Sequence, residues 1–126
     1  MKLSRIVIKV KDYRASFEFY KNVLGLKLSQ SWQRQDSWGA IFVTGTSLIE
    51  ILWQPSGVGL EQSNYIPLRD KIDVFFEVHD IDILHKRLLD SGVAIAGKPQ
   101  DMPWGYRIFK IKDPDNISIV LSQPLS

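Results

Sequence analysis

Two short runs of alternating side chains, each followed by a helix-spaced segment, set the plan of this chain. In the first, Ile6, Ile8 and Val10 point to one side while Arg5, Val7 and Lys9 point to the other. In the second, Val74, Phe76 and Val78 oppose Asp73, Phe75 and Glu77. Period-two alternation predicts a strand in each place. Helices are predicted next, because Tyr13, Phe17, Tyr20 and Leu24 recur at spacings of 4, 3 and 4, and Ile81, Leu84 and Leu88 at 3 and 4. Asp12 and Asp80 stand where a side chain can accept from the free amides of a first helical turn. Gly25 and Gly92 stand where a left-handed residue closes a helix. The rest reads as strands at about 27–34, 38–44 and 47–54, then at about 93–97, 105–112 and 117–123.

The two patterns are one pattern repeated. Val10-Lys11-Asp12 through Gly25 returns as Val78-His79-Asp80 through Gly92, an offset of 67 to 68 residues, and Trp38-Gly39 returns as Trp104-Gly105. The order is strand, helix, three strands, twice over, which makes an α+β chain of two βαβββ modules. Module 1 covers about 1–54 and module 2 about 72–126 of a single domain. Residues 55–71 join them, with two prolines, two glycines and no clean period.

Composition narrows the partners. The 126 residues are 44% hydrophobic and 24% charged, proportions of an ordinary globular domain with a real core. There is no cysteine, which removes disulfides, thiolate metal sites and a thiol nucleophile and suits a cytoplasmic location. Sixteen basic and 14 acidic residues give a net charge of +2, scattered without a basic run, so nucleic acid is not an expected partner. The amino-terminal MKLSRIVIKVKD reads as a strand, and no membrane span is expected. No glycine-rich phosphate loop or nucleophile elbow is present, and His79 and His85 lack metal-motif spacing and read as surface residues.

Three pieces of the chain resemble a known family: VKDYRASFEFYKNVLGL at 10–26, VHDIDILHKRLLDSGV at 78–93 and PWGYRIFKIKDPDNISIVLSQ at 103–123. Their order and the duplication resemble the vicinal oxygen chelate superfamily, which includes glyoxalase I, extradiol dioxygenases and bleomycin resistance proteins. The resemblance implies that each half curls its strands into a cup, with helices on the convex face and a ligand on the concave one. It also implies that metal-using members carry one ligand on the first and one on the last strand of each half. Those positions fall here on Arg5, Glu50, Asp73 and Val120. Only the two carboxylates can bind a cation, and a guanidinium, charged at any physiological pH, repels one. No metal or other cofactor is therefore expected. Arg5 can instead bond Glu50 or Asp73, although either acid can equally lie on a solvated face.

Aromatic residues supply the second signal. Trp38 and Trp104 occupy matching places that the resemblance puts near a cavity mouth, and Phe42, Phe75 and Tyr106 add stacking surface. Trp53 alternates away from Glu50 and reads as core, Trp32 as either. Arg107 can hold an anionic ligand group or pair across strands with an acid. The ligand-binding set is thus Arg5, Trp38, Phe42, Glu50, Asp73, Phe75, Trp104, Tyr106, Arg107 and Val120. Two functions follow: a metal-independent protein that binds a small, partly aromatic or drug-like molecule, as in antibiotic sequestration, or a metal-dependent lyase, isomerase or dioxygenase. A homodimer is expected, since cupped sheets leave edges open.

Overall fold

The computed structural model describes residues 2–55 and 72–126, so the joining segment lies almost wholly outside the described residues. Two compact units divide the chain, Met1–Pro67 and Leu68–Ser126.

The first unit carries β1 (Arg5–Lys9), α1 (Tyr13–Glu18), β2 (Lys27–Gln33), β3 (Trp38–Thr44) and β4 (Ser47–Trp53). Its strands lie in the order β1-β4-β3-β2, with β1 parallel to β4 and the other pairs antiparallel. The second unit carries β5 (Asp73–Glu77), α2 (Ile81–Asp90), β6 (Gln100–Asp101), β7 (Tyr106–Lys112) and β8 (Ser118–Pro124), with its strands in the order β5-β8-β7-β6. Here β5 is parallel to β8 and the remaining pairs are antiparallel. Each half is thus a βαβββ module, a four-stranded mixed sheet with a helix against it: α1 packs on β3 and β4, α2 on β7 and β8.

The helix ends follow from their capping residues. Asp12 accepts from the amide of Ala15 at 3.1 Å, and Asp80 accepts from that of Ile83 at 3.3 Å. At the end of α2, Gly92 takes φ 87°, its amide bonds Leu89 and the amide of Val93 bonds Leu88, closing the last turn back on itself.

Two expectations need correction. The helix expected over 13–24 is α-helical only to Glu18; Phe19–Val23 is a π-helical turn, in which the Leu24 amide reaches back five residues to Phe19 at 2.9 Å. The wider turn puts adjacent residues Phe19 and Tyr20 both into the core. The strand expected at 93–97 is absent. Val93 is spent closing α2, Gly97 takes φ 87° and Pro99 has no amide to give, so pairing waits until Gln100–Asp101.

The core of each unit is the face its helix covers. In the first, Ile8, Phe42, Ile49 and Ile51 are buried with Phe19 and Tyr20; in the second, Ile111, Ile119 and Leu121 are buried with Ile81 and Leu88. The Asp113-Pro114-Asp115 turn is structural: the buried Asp113 carboxylate accepts from the amides of Asp115 and Ile117, both at 2.8 Å.

Candidate functional site

Register assigns each side chain to a face, because paired residues on neighbouring strands project to the same side. In the first unit Val7 pairs with Glu50 and Ile41 with Glu50, which puts Arg5, Val7, Ile41 and Glu50 together on the face without a helix. There the Arg5 guanidinium donates to the Glu50 carboxylate at 3.0 Å. Glu50 is well shielded, its side chain 12% exposed against 46% for Arg5.

Trp32 belongs to the same face. It pairs with Gly39, two residues before Ile41 and so on the same face, after an extra residue at Ser29 has shifted the register of β2. Its indole lies directly over Gly39, and a Cβ there would overlap the ring. The indole Nε1 donates to the Ser37 hydroxyl at 3.2 Å, and the Arg34 guanidinium stands 5.5 Å from the ring centre. Trp32 therefore joins Arg5 and Glu50, and sequence reasoning had left its face open. Its signal was Gly39, a residue with no side chain opposite a large ring.

Trp38 and Phe42 are not brought to that face. Trp38 pairs with Trp53 on the helix side, 5.0 Å from it and 5.8 Å edge-on from Tyr13. Phe42 is fully buried between Phe17 and Tyr20, at 5.8 and 6.1 Å. Phe42 is a core aromatic beneath α1, and Trp38 is half-buried on that same side. The Tyr13 hydroxyl donates to the carbonyl of Gly39 at 3.0 Å, and burial raises the pKa of that phenol.

In the second unit the register Phe75 to Val120 to Lys110 places those three on the face without a helix, with Asp73 at its start and Tyr106 at the opposite edge. Val120 is fully buried, Phe75 is 55% exposed and Asp73 is exposed at the first residue of β5. Trp104 lies in the turn before β7 and is 61% exposed. Arg107 projects the other way. It donates to Asp82 of α2 at 3.0 Å and to Asp101 at 2.9 Å, and of the two readings open for it the structure shows the pairing with acids. Those bonds, Asp82 first, raise its pKa further.

In neither unit do the two positions implied by the resemblance offer a metal a pair of ligands. In the first unit the one carboxylate is already engaged by a fixed cation, and in the second Val120 presents only carbon beside Asp73. Among the described residues no group of three or more His, Cys, Asp or Glu is placed to hold a metal ion. The metal that the fold family implies does not fit these residues.

Two βαβββ modules, each a four-stranded mixed sheet with a helix on one face, define the class of fold. The chain belongs to the glyoxalase/bleomycin resistance protein/dioxygenase superfamily, whose family model matches residues 2–121. It is 34% identical over 121 residues to the uncharacterized protein YraH of Bacillus subtilis strain 168, covering 92% of this chain and 93% of that one. Among solved structures it is similar to a glyoxalase/bleomycin resistance/dioxygenase domain from a Frankia species, with 23% identity, a TM-score of 0.74 and 98% of each chain covered. It is also similar to TnmS3, an antibiotic binding protein from a Streptomyces species, with 20% identity and a TM-score of 0.74 over 98% of this chain and 96% of that one. At these identities the likeness is one of fold. Among the described residues no helix is long and apolar enough to cross a membrane.

Proposed function

We propose that this protein binds a small, partly aromatic molecule without a metal, using the faces of its sheets that carry no helix. The observation that carries this reading is the 3.0 Å ion pair between Arg5 and Glu50. It stands at the two positions of the first module where metal-using relatives would carry ligands. A cation entering there must displace a guanidinium that cannot lose its charge, while an anionic or hydrogen-bonding ligand can share it. Trp32 gives the first module an aromatic wall and the exposed Phe75 gives the second one. In the second module Asp73, Tyr106 and Trp104 join Phe75 as proposed contacts for a ligand of that module's face, whereas Val120, fully buried, has no surface to offer one. That TnmS3 is an antibiotic binding protein makes a drug-like ligand a reasonable class to screen first. We further read the protein as a cytoplasmic homodimer, because β1 and β5 each have a strand neighbour on one side only and Ile6, Val7 and Phe75 on them are exposed.

Two measurements test the reading. Elemental analysis of protein purified without chelators should find no stoichiometric transition metal, and a panel of polycyclic aromatic acids and antibiotics should contain compounds that raise the melting temperature and quench tryptophan fluorescence. Arg5→Ala should weaken such a ligand while leaving the fold intact. One equivalent of bound zinc, nickel, manganese or iron would overturn the proposal in favour of the metal-dependent enzyme, and light scattering at the mass of one 14.5 kDa chain would overturn the dimer.

A further inference from the structure

On the opposite side of the first sheet, a groove of about 470 Å³ runs between α1 and the outer strand β2, lined by Tyr13, Arg14, Phe17, Ser31, Trp32 and Gln33. We infer that this helix-side groove is a second, separate binding site, for a small aryl carboxylate.

Its chemistry is laid out by the same register that defines the other face. Ser31 pairs with Ala40 and Gln33 with Trp38, so their side chains share the helix side with Trp38, which touches α1 through Tyr13. Trp32, between them, carries its ring over Gly39. One wall is therefore a hydroxyl and an amide, and neither side chain has a hydrogen-bond partner among the described residues. The other wall is aromatic, with Tyr13 and Phe17 rings 5.8 Å apart and tilted by 39°. The Tyr13 hydroxyl is committed to Gly39, so this wall is apolar. Arg14 stands at the rim, exposed, its guanidinium 6.0 Å from the Trp38 ring centre and without a carboxylate partner among the described residues.

No acidic residue lines the groove. An apolar wall that stacks a ring, one unneutralised cation at its end and two free polar side chains opposite are complementary to a flat ring bearing a carboxylate.

The test is calorimetric titration of the full chain with 2-naphthoate and with its neutral counterpart 2-naphthamide, at low salt. A surface-exposed ion pair predicts that the acid binds about fivefold more tightly than the amide. Arg14→Gln should erase that preference while leaving the amide's affinity alone. Ser31→Trp, on an exposed edge-strand residue, should fill the groove and abolish both. Arg107→Gln, which removes a cation already held by Asp82 and Asp101, should change neither. Amide chemical shifts of the unaltered protein supply a readout that needs no variant, and residues 13–17 and 31–33 should move on addition of 2-naphthoate. Absence of binding, a preference that survives Arg14→Gln, or binding that survives Ser31→Trp overturns the inference. So does binding lost on Arg5→Gln, and that result would locate the ligand on the helix-free face and support the proposed function instead.

Discussion

Replacing Gly39 with alanine should destabilise the protein through one contact, the indole of Trp32. Gly39 is the position over which that ring lies, and an added Cβ would overlap three of its carbons. Gly39 does not occupy the left-handed region, so alanine is acceptable to the backbone and the conflict is with the ring alone. The ring must swing off β3. In doing so it loses the 3.2 Å bond to Ser37, worth about 1 kcal/mol, and the stacking of Arg34, worth about 0.5–1 kcal/mol at an exposed site. Alanine stiffens the unfolded chain and returns about 0.4–1 kcal/mol. The net loss is then about 1 kcal/mol from these terms, rising toward 2 kcal/mol with the apolar area the indole uncovers.

Urea denaturation of a double-mutant cycle reads this directly. In a Trp32→Ala background the overlap is gone, so Gly39→Ala should be neutral or stabilising by up to about 1 kcal/mol. The two single effects should therefore fail to add by about 1–3 kcal/mol. Tryptophan emission of Gly39→Ala should also shift to the red as the indole meets water. Equal effects of Gly39→Ala in both backgrounds would refute the stacking of Trp32 on Gly39, and with it the assignment of Trp32 to the face of Arg5 and Glu50.

Three more outcomes follow from the same geometry. Phe42→Ala should cost about 3–5 kcal/mol by opening a cavity beneath α1, measured by thermal or urea melts, and a loss below 1 kcal/mol would contradict its place in the core. Burial raises the Tyr13 pKa above its ordinary value near 10, so the folded chain holds that proton more tightly than the unfolded one; the contribution is complete below about pH 10 and is lost as pH rises through the folded value. Tyr13→Phe should flatten the decline of stability above about pH 10 while costing about 1 kcal/mol at neutral pH for the lost bond to Gly39. Arg107→Ala should leave the affinity of any ligand of the helix-free face unchanged in titration, because Arg107 is turned toward Asp82 and Asp101.

What could be read from the sequence was what local chemistry decides. Asp12, Asp80 and Gly92 cap helices because each flanks a helix-spaced run, and the alternation of 73–78 marks a strand without knowledge of its neighbours. The faces of β3 were not legible in the same way. Its residues Trp-Gly-Ala-Ile-Phe-Val-Thr are nearly all apolar, so no alternation says which of Ile41 and Phe42 meets the helix. That is settled by pairing with β4, where Phe42 falls opposite Ile49 and Ile41 opposite Glu50. The face of Trp32 depended on an extra residue in β2, and a one-residue shift turns every later side chain of the strand over. Residues 93–97, Val-Ala-Ile-Ala-Gly, look like a strand by composition, yet the first is needed to close α2 and the last turns left-handed.

The same register explains why the two modules, alike in plan, leave different chemistry at equivalent places. Val7 pairs with Glu50 in the first, and Phe75 pairs with Val120 in the second. A shielded carboxylate at Glu50 needs a cation, because an unpaired charge on a face shared with Val7 and Ile41 is poorly solvated. Arg5, two residues before Val7, supplies it from the same strand face and fixes its sign at every physiological pH. Val120 makes no such demand, and the space beside it goes to the ring of Phe75. Arg5, with 46% of its side chain exposed, still has guanidinium N–H groups that can donate to a second carboxylate without leaving the first.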